Sequence, residues 1–172
     1  VEIVDHGGDR AARDAALDGA ACGLAEADAI TGWRGELYPV AQRFNDKPVA
    51  LVERAMASFL GIRAWGGHLN GYVRKADGLH MWIARRAYDK PTYPGLLDNM
   101  VAGGQPHGIN CLDNMVKECW EEAGIPEGLA RQIQPAGAIA YGHQWKHGLK
   151  PDEMFTFDLE MPEDFTPRNT DG

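Results

Sequence analysis

The chain has 172 residues, 44% of them hydrophobic and 24% charged, which suffices for one buried core, or for one core and a small appendage. Its formal net charge of −8 argues against a nucleic-acid surface, where Lys and Arg must gather to displace counterions. Cys22, Cys111 and Cys119 are odd in number and lack CxxC spacing, so no disulfide framework or zinc site is expected, and a reducing, cytoplasmic compartment fits best. No apolar run approaches a membrane span, and Val1 to His6 do not resemble a signal peptide. The chain opens without Met and stops at Asn169-Thr170-Asp171-Gly172 without a helix or strand terminator, which leaves room for a trimmed start and for functional residues after Gly172.

In chain order, residues 10 to 28 are rich in Ala, Leu, Asp and Glu and predict a helix. Trp33 to Val40 read as a strand, at a sheet edge because of Pro39. Pro48 can open a second helix, with Val49, Leu51, Val52, Ala55, Met56 and Leu60 at helical spacing and Gly61 closing it. His68 to Val73 and Leu79 to Arg85, joined through Lys75-Ala76-Asp77-Gly78, predict a β-hairpin. Leu97 to Ala102 form a short strand that runs into Gly103-Gly104. A helix over 111–123 follows, with Leu112, Met115, Val116, Cys119 and Ala123 as its apolar stripe. A short helix from Glu127 to Gln134 and strands at 138–142 and 154–159 complete a layered α/β sandwich with a mixed sheet. The first sixty or so residues form a small helical and extended appendage, giving regions 1–62 and 63–172.

Glu118, Glu121 and Glu122 fall within an arc of roughly 100° at the end of helix 111–123. Like charges three and four residues apart cost about 0.2–0.5 kcal/mol per pair, and the last turn before Gly124 is the negative end of the helix dipole. A sequence that accepts both costs invites a cation. Hard divalent ions take oxygen ligands and bring phosphates with them, so the cluster points to phosphate chemistry with Mg²⁺, or Mn²⁺ in its place. Taken alone, an ExxEE pattern is ordinarily a solvated helix face; the preceding glycines give it weight.

Gly103-Gly104-x-x-x-Gly108 leading to Lys117-Glu118-Cys119-Trp120-Glu121-Glu122-Ala123-Gly124-Ile125 resembles the Nudix box, GG-x4-GE-x7-REUxEExGU with U aliphatic. The second half matches with Lys for Arg and Cys for the aliphatic residue. In the first half the loop is one residue shorter, and Ile109 stands where the family has a glutamate that pairs with the box arginine. Asp113, one turn before Lys117, is a substitute partner for it. Gly32 to Val40, His68 to Val73, Trp82 to Arg86, Thr92 to Asn99 and the tail from Gly148 to Pro167 are similar to a Nudix subgroup found in bacteria, plants and fungi, where in fungi the module is fused to thiamine pyrophosphokinase. This resemblance implies a Nudix-type α/β/α sandwich, with Mg²⁺ held by Glu118, Glu121 and Glu122 and hydrolysis of a small organic diphosphate, thiamine diphosphate or its oxidised forms being candidates.

Such a reaction needs neutralised phosphate charge, a water in line with phosphorus and a carboxylate to take its proton, for which Glu118 is the first candidate, its ligand and base roles left unseparated. Arg85, Arg86 and Lys90 are candidates for the phosphate oxygens, with strand alternation letting only one of the two arginines face the site. Gly103, Gly104 and Gly108 are expected to serve the phosphate-side loop through positive φ and close approach. Trp65, Trp82, Trp120, Tyr141 and Trp145 are available for ring stacking, although aromatics are core residues first. His107 lies in the glycine loop, and His143 and His147 are weaker phosphate candidates. Two other readings stand: a catalytically silent Nudix-like binding domain, and a prenyl-diphosphate isomerase, which would need a reactive thiol from Cys111 or Cys119. The partner is a small-molecule diphosphate, with no nucleic acid and no membrane, and a homodimer is open.

Overall fold

A computed structural model of the chain describes residues 9–90, 93–145 and 148–168. In chain order these form α1 (Arg10–Glu26), β1 (Leu37–Val40), β2 (Ala50–Glu53), α2 (Met56–Leu60), β3 (Trp65–Lys75), β4 (Gly78–Met81), β5 (Ile83–Arg85), β6 (Leu97–Asn99), β7 (Val101–Gly104), α3 (Cys111–Ala123), α4 (Glu127–Ala130), β8 (Gln134–Ala140), β9 (His143–Trp145), β10 (Gly148–Lys150) and β11 (Glu153–Glu160). No helix among the described residues is long and apolar enough to cross a membrane. They divide into two compact units: one takes the chain up to Trp65 with 106–108 and 140–153, the other 66–105, 109–139 and the chain from Met154.

In the first unit β1 pairs antiparallel with β2, placing Tyr38 opposite Val52. Leu17 and Ala21 of α1, Tyr38, Val52 and Met56 share its core. Asp9 caps α1 by accepting the Ala11 N–H at 3.0 Å. The helix expected from Pro48 is instead a strand followed by one short helix. Val49 to Met56 satisfies helical spacing and alternation alike, and pairing with β1 decides, because it buries Ala50 and Val52. The strand expected from Trp33 begins only at Leu37. β9 and β10 form a hairpin that the sequence reading missed, and β10 packs on α2.

The second unit is built on a five-stranded sheet ordered β4-β3-β11-β8, with β7 also on β3. β4 pairs with the far half of β3 and β7 with the near half, both antiparallel. β11 runs parallel to β3: Ala64 O accepts from Glu153 N–H at 3.0 Å and Tyr72 O from Met161 N–H at 2.7 Å, a constant offset. The sheet is therefore mixed, as the sequence predicts. The expected hairpin forms, with Lys75 opposite Gly78, but β5 leaves it to pair with β6.

Helix α3 covers this sheet, burying Met115, Cys119 and Ala123 against a core that includes Leu69, Val101 and Phe157. Its bounds match the sequence expectation because both ends are chemically marked. Asn110 accepts the Asp113 N–H at 2.9 Å, and Gly124, at φ +62°, ends the helix in the left-handed region. The helix can approach because β3 lacks side chains where it is crossed. A Cβ on Gly67 would lie 3.1 Å from Met115 Cγ, and one on Gly71 would collide with Met100.

Two glycines therefore respond oppositely to substitution. Gly71→Val overpacks the core and lowers stability by about 1–3 kcal/mol. Gly19→Ala, on the open face of α1 with no atom within 4 Å of the added methyl, raises it by about 0.5–1 kcal/mol. Urea unfolding of the two variants beside the parent checks both signs.

Candidate active site

The face of α3 turned to β7 carries Asn114, Glu118 and Glu122, one turn apart from each other. Asn114 Nδ2 donates to Gly104 O at 2.8 Å, and Glu122 Oε2 accepts the Ala102 N–H at 2.8 Å. Between them, a Cβ on Gly103 would come within 2.7 Å of Glu118 Oε2. Gly103 and Gly104 are thus strand residues whose missing side chains admit the helix, not positive-φ turn residues; of the three loop glycines only Gly108 has positive φ, at +92°. Ile109, at the family's glutamate position, offers its carbonyl to the buried Gln105, whose Nε2 donates at 2.7 Å.

Lys117 does not pair with Asp113, as the sequence suggested. Its Nζ lies 3.0 Å from Glu118 Oε1 and 2.9 Å from Glu121 Oε2, while Asp113 pairs with Arg131 at 3.1 Å. Desolvation pulls the ammonium's pKa down, but hydrogen bonds to Glu121 and Glu118 outweigh it and the net shift is upward. Glu122 as a whole is solvent-accessible, yet its carboxyl is pushed up to about 7, chiefly by desolvation, with the Glu118 and Asp98 carboxylates adding to the effect against the pull of the Ala102 N–H.

Beside Glu122 opens a cavity of about 200 Å³ whose wall includes Arg85, Arg86, Lys90, Asp98 and Asn99. Both arginines line it. Strand alternation does not separate them because β5 ends at Arg85. Arg85 Nη1 donates to Gly95 O at 2.7 Å, and Arg86 Nη1 to Asp98 Oδ2 at 2.9 Å. Asn99 Nδ2 donates to Asn70 Oδ1, and Asn70 Nδ2 to Asp158 Oδ1, each at 2.9 Å. His68 joins this row through Asn99, its pKa lowered mainly by burial. Sequence reasoning assigned no role to Asn70, Asp98, Asn99 or Asp158. The only available signal was their place in the segments that carry the resemblance.

Of the predicted residues, Arg85, Arg86, Lys90 and Glu122 meet at this cavity, Glu118 and Glu121 turn to Lys117, and Gly103 and Gly104 support the helix without lining the cavity. None of the candidate aromatics is among the described lining residues. Trp65 is buried in the first unit and donates to Glu153 Oε2 at 3.1 Å. Trp82 packs on the second unit's core with its Nε1 buried and unpartnered. Trp120 and Tyr141 are exposed, the latter stacked on His143. The side chain of Trp145 and all of His147 lie outside the described residues. His107 donates its backbone N–H to Leu37 O in the first unit. Burial raises both candidate thiols, that of Cys119 to about 12, so neither supplies the thiolate an isomerase would need.

Among the described residues no three His, Cys, Asp or Glu side chains converge tightly enough to hold a metal ion. The donor set nonetheless fits a hard divalent cation by its chemistry: three carboxylates within two adjacent turns, two of which already share the Lys117 ammonium.

Residues 1–64 match the family model described as a domain of unknown function, DUF4743. The chain is 47% identical over 149 residues to Nudix hydrolase 20, chloroplastic, of Arabidopsis thaliana, covering 87% of this chain and 40% of that protein. It is 45% identical over 143 residues to Nudix hydrolase 24, chloroplastic, of the same plant, covering 83% and 39%. The chain thus spans about two fifths of the length of these relatives. Their names overturn the expectation of a cytoplasmic protein. The crystal structure of a MutT/nudix family protein from Enterococcus faecalis shares the fold, with a TM-score of 0.51 at 12% identity over 63% of this chain and 40% of that one. A sequence match that runs through most of the chain, together with this shared fold, settles the family: the chain belongs to the Nudix superfamily.

Proposed function

We propose that the chain hydrolyses the diphosphate linkage of a small organic diphosphate with the help of Mg²⁺ or Mn²⁺. One observation carries the reading: the acidic face of α3 is pressed onto β7 directly beside a cavity walled by Arg85, Arg86 and Lys90. The cavity, at about 200 Å³, is smaller than the roughly 300–1,000 Å³ typical of a pocket that encloses a whole organic ligand. It suits the diphosphate end, with the organic part outside. Thiamine diphosphate and its oxidised forms are the first compounds to try, on the sequence resemblance alone.

On this reading Arg85, Arg86 and Lys90 bind and orient the outer phosphate oxygens, the arginines through paired N–H donors. Glu118 and Glu121, which already share one cation, are the main metal ligands together with Glu122, and the metal, when bound, supplies Lewis-acid polarisation of the phosphate oxygens. Glu122, the one acid of the three that lines the cavity, replaces Glu118 as first candidate to accept the proton of the attacking water. The missing side chain of Gly103 lets Glu118 lie close to the strand, and the bonds from Ala102 N–H to Glu122 and from Asn114 to Gly104 O hold the acid face there.

A screen of thiamine diphosphate, oxythiamine diphosphate, nucleoside diphosphate sugars and prenyl diphosphates, with phosphate read directly or after phosphatase treatment, tests the reading. Metal-dependent turnover of at least one compound is expected, and Glu121→Gln lowers kcat by about 100-fold or more while the thermal unfolding profile is retained. Absence of turnover with every diphosphate would instead favour the silent binding domain. Gly103→Ala should displace Glu118 from the strand, costing about tenfold in kcat/KM and lowering Tm as well, since the added methyl would collide with Glu118 at Cγ and Cδ, close to the helix backbone.

The raised carboxyl of Glu122 also has a stability signature in metal-free protein. A folded-state value near 7, above the ordinary 4.5, makes the protonated form the favoured one, so its stabilising effect is present below about pH 4.5 and is lost as pH rises through 7. Glu122→Gln should therefore raise Tm in EDTA at pH 8 and leave it nearly unchanged at pH 4, as calorimetry at the two pH values would show.

A further inference from the structure

We propose that Asp98 is a positioning residue that holds Arg86 in place for the phosphate end of the ligand, an inference that rests on the diphosphate reading of the cavity. Asp98 sits on β6 at the cavity wall, and its two oxygens serve two other lining residues. Oδ2 accepts from Arg86 Nη1 at 2.9 Å and Oδ1 accepts the Asn99 N–H at 2.9 Å. The ion pair is largely shielded, with the two side chains 26% and 22% exposed. The backbone of Arg86 is fixed as well: its N–H donates to Leu96 O at 3.0 Å, and its carbonyl accepts the Gly95 N–H at 3.2 Å. Arg85 is anchored separately, on Gly95 O. Asp98 thus fixes the Nη1 side of the Arg86 guanidinium, and a long side chain aimed in advance loses less freedom when an anion arrives.

Two physical effects of Asp98 oppose each other, which makes the role testable. The wall carries the cations Arg85, Arg86 and Lys90 and the acids Asp98 and Glu122. Neutralising Asp98 leaves the wall one charge more positive, and Coulomb attraction alone would then tighten anion binding. If positioning dominates, binding weakens instead.

The test uses the full chain with magnesium pyrophosphate as calorimetric probe and steady-state kinetics on whichever diphosphate it turns over. Asp98→Asn should weaken pyrophosphate binding and raise KM by about tenfold, with kcat within about twofold of the parent. Arg86→Gln should cost a similar factor, and the double variant no more than either single one, because both remove the same aimed donor. Asp98→Glu, which restores the charge and acceptor, should recover part of the loss and supplies the comparison should Asp98→Asn fold poorly. Binding by Asp98→Asn as tight as or tighter than the parent, or losses that multiply in the double variant, would overturn the assignment. A parent chain that neither binds the probe nor turns over any diphosphate would defeat the underlying reading, and this inference with it. Binding without turnover leaves the calorimetric comparison to decide the role of Asp98.

Discussion

The seating of an acidic helix face on a strand that ends in two glycines governs the rest of this structure. Three glutamates at the negative end of a helix repel one another and the dipole, so α3 would be a poor helix in isolation. Its neighbours offset that cost locally. The Ala102 N–H bonds Glu122, the Lys117 ammonium spans Glu118 and Glu121, and Gly124 closes the helix with its N–H on Trp120 O at 3.0 Å. The adjoining stripe, Met115, Cys119 and Ala123, is buried in the second unit's core. Packing energy from the apolar stripe thus maintains, along its flank, a charge arrangement that would not persist alone.

Glycine in the strands is what makes the seating possible. Gly103 leaves space for Glu118, Gly67 for Met115 and Gly71 for Met100, and none of the three sits at a left-handed φ. Of the two uses the sequence suggests for Gly103 and Gly104, positive φ and close approach, the structure shows the second, in which the absent Cβ lets one backbone approach a neighbouring element. The paired glycine is therefore informative about the site even though neither residue lines the cavity.

Legibility in the sequence follows the range of the interaction. α3 was readable to the residue because its cap, stripe and terminating glycine all lie within the segment. The β3–β4 hairpin was readable because two turn residues fix its register. β2 was not, since four residues carry too little periodicity to choose between strand and helix before Tyr38 is known to face Val52. The cavity was readable only in part. Arg85, Arg86 and Lys90 stood out by charge, but Asp98 pairs across the β5–β6 hairpin, Glu122 finds its donor on β7, and Asn70 reaches Asp158 from another strand. The rerouting of Lys117 from Asp113 to the glutamates likewise depended on Arg131 arriving from α4 to take Asp113.

The first unit makes the same point about boundaries. The domain-of-unknown-function match ends at residue 64, yet the packing of this unit does not end there. Gly148, at φ +142°, lies against the Ser58 carbonyl of α2, a Cβ on Gly61 would meet Leu149 at 3.6 Å, and Trp65 Nε1 bonds Glu153. Residues that a sequence family treats as separate are thus one packing unit with the β9–β10 hairpin. Removing that hairpin would uncover the side of α2 on which β10 packs, and cutting the chain before Glu153 of β11 would leave the Trp65 indole N–H without its acceptor, so a piece ending near residue 64 lacks contacts that this unit makes.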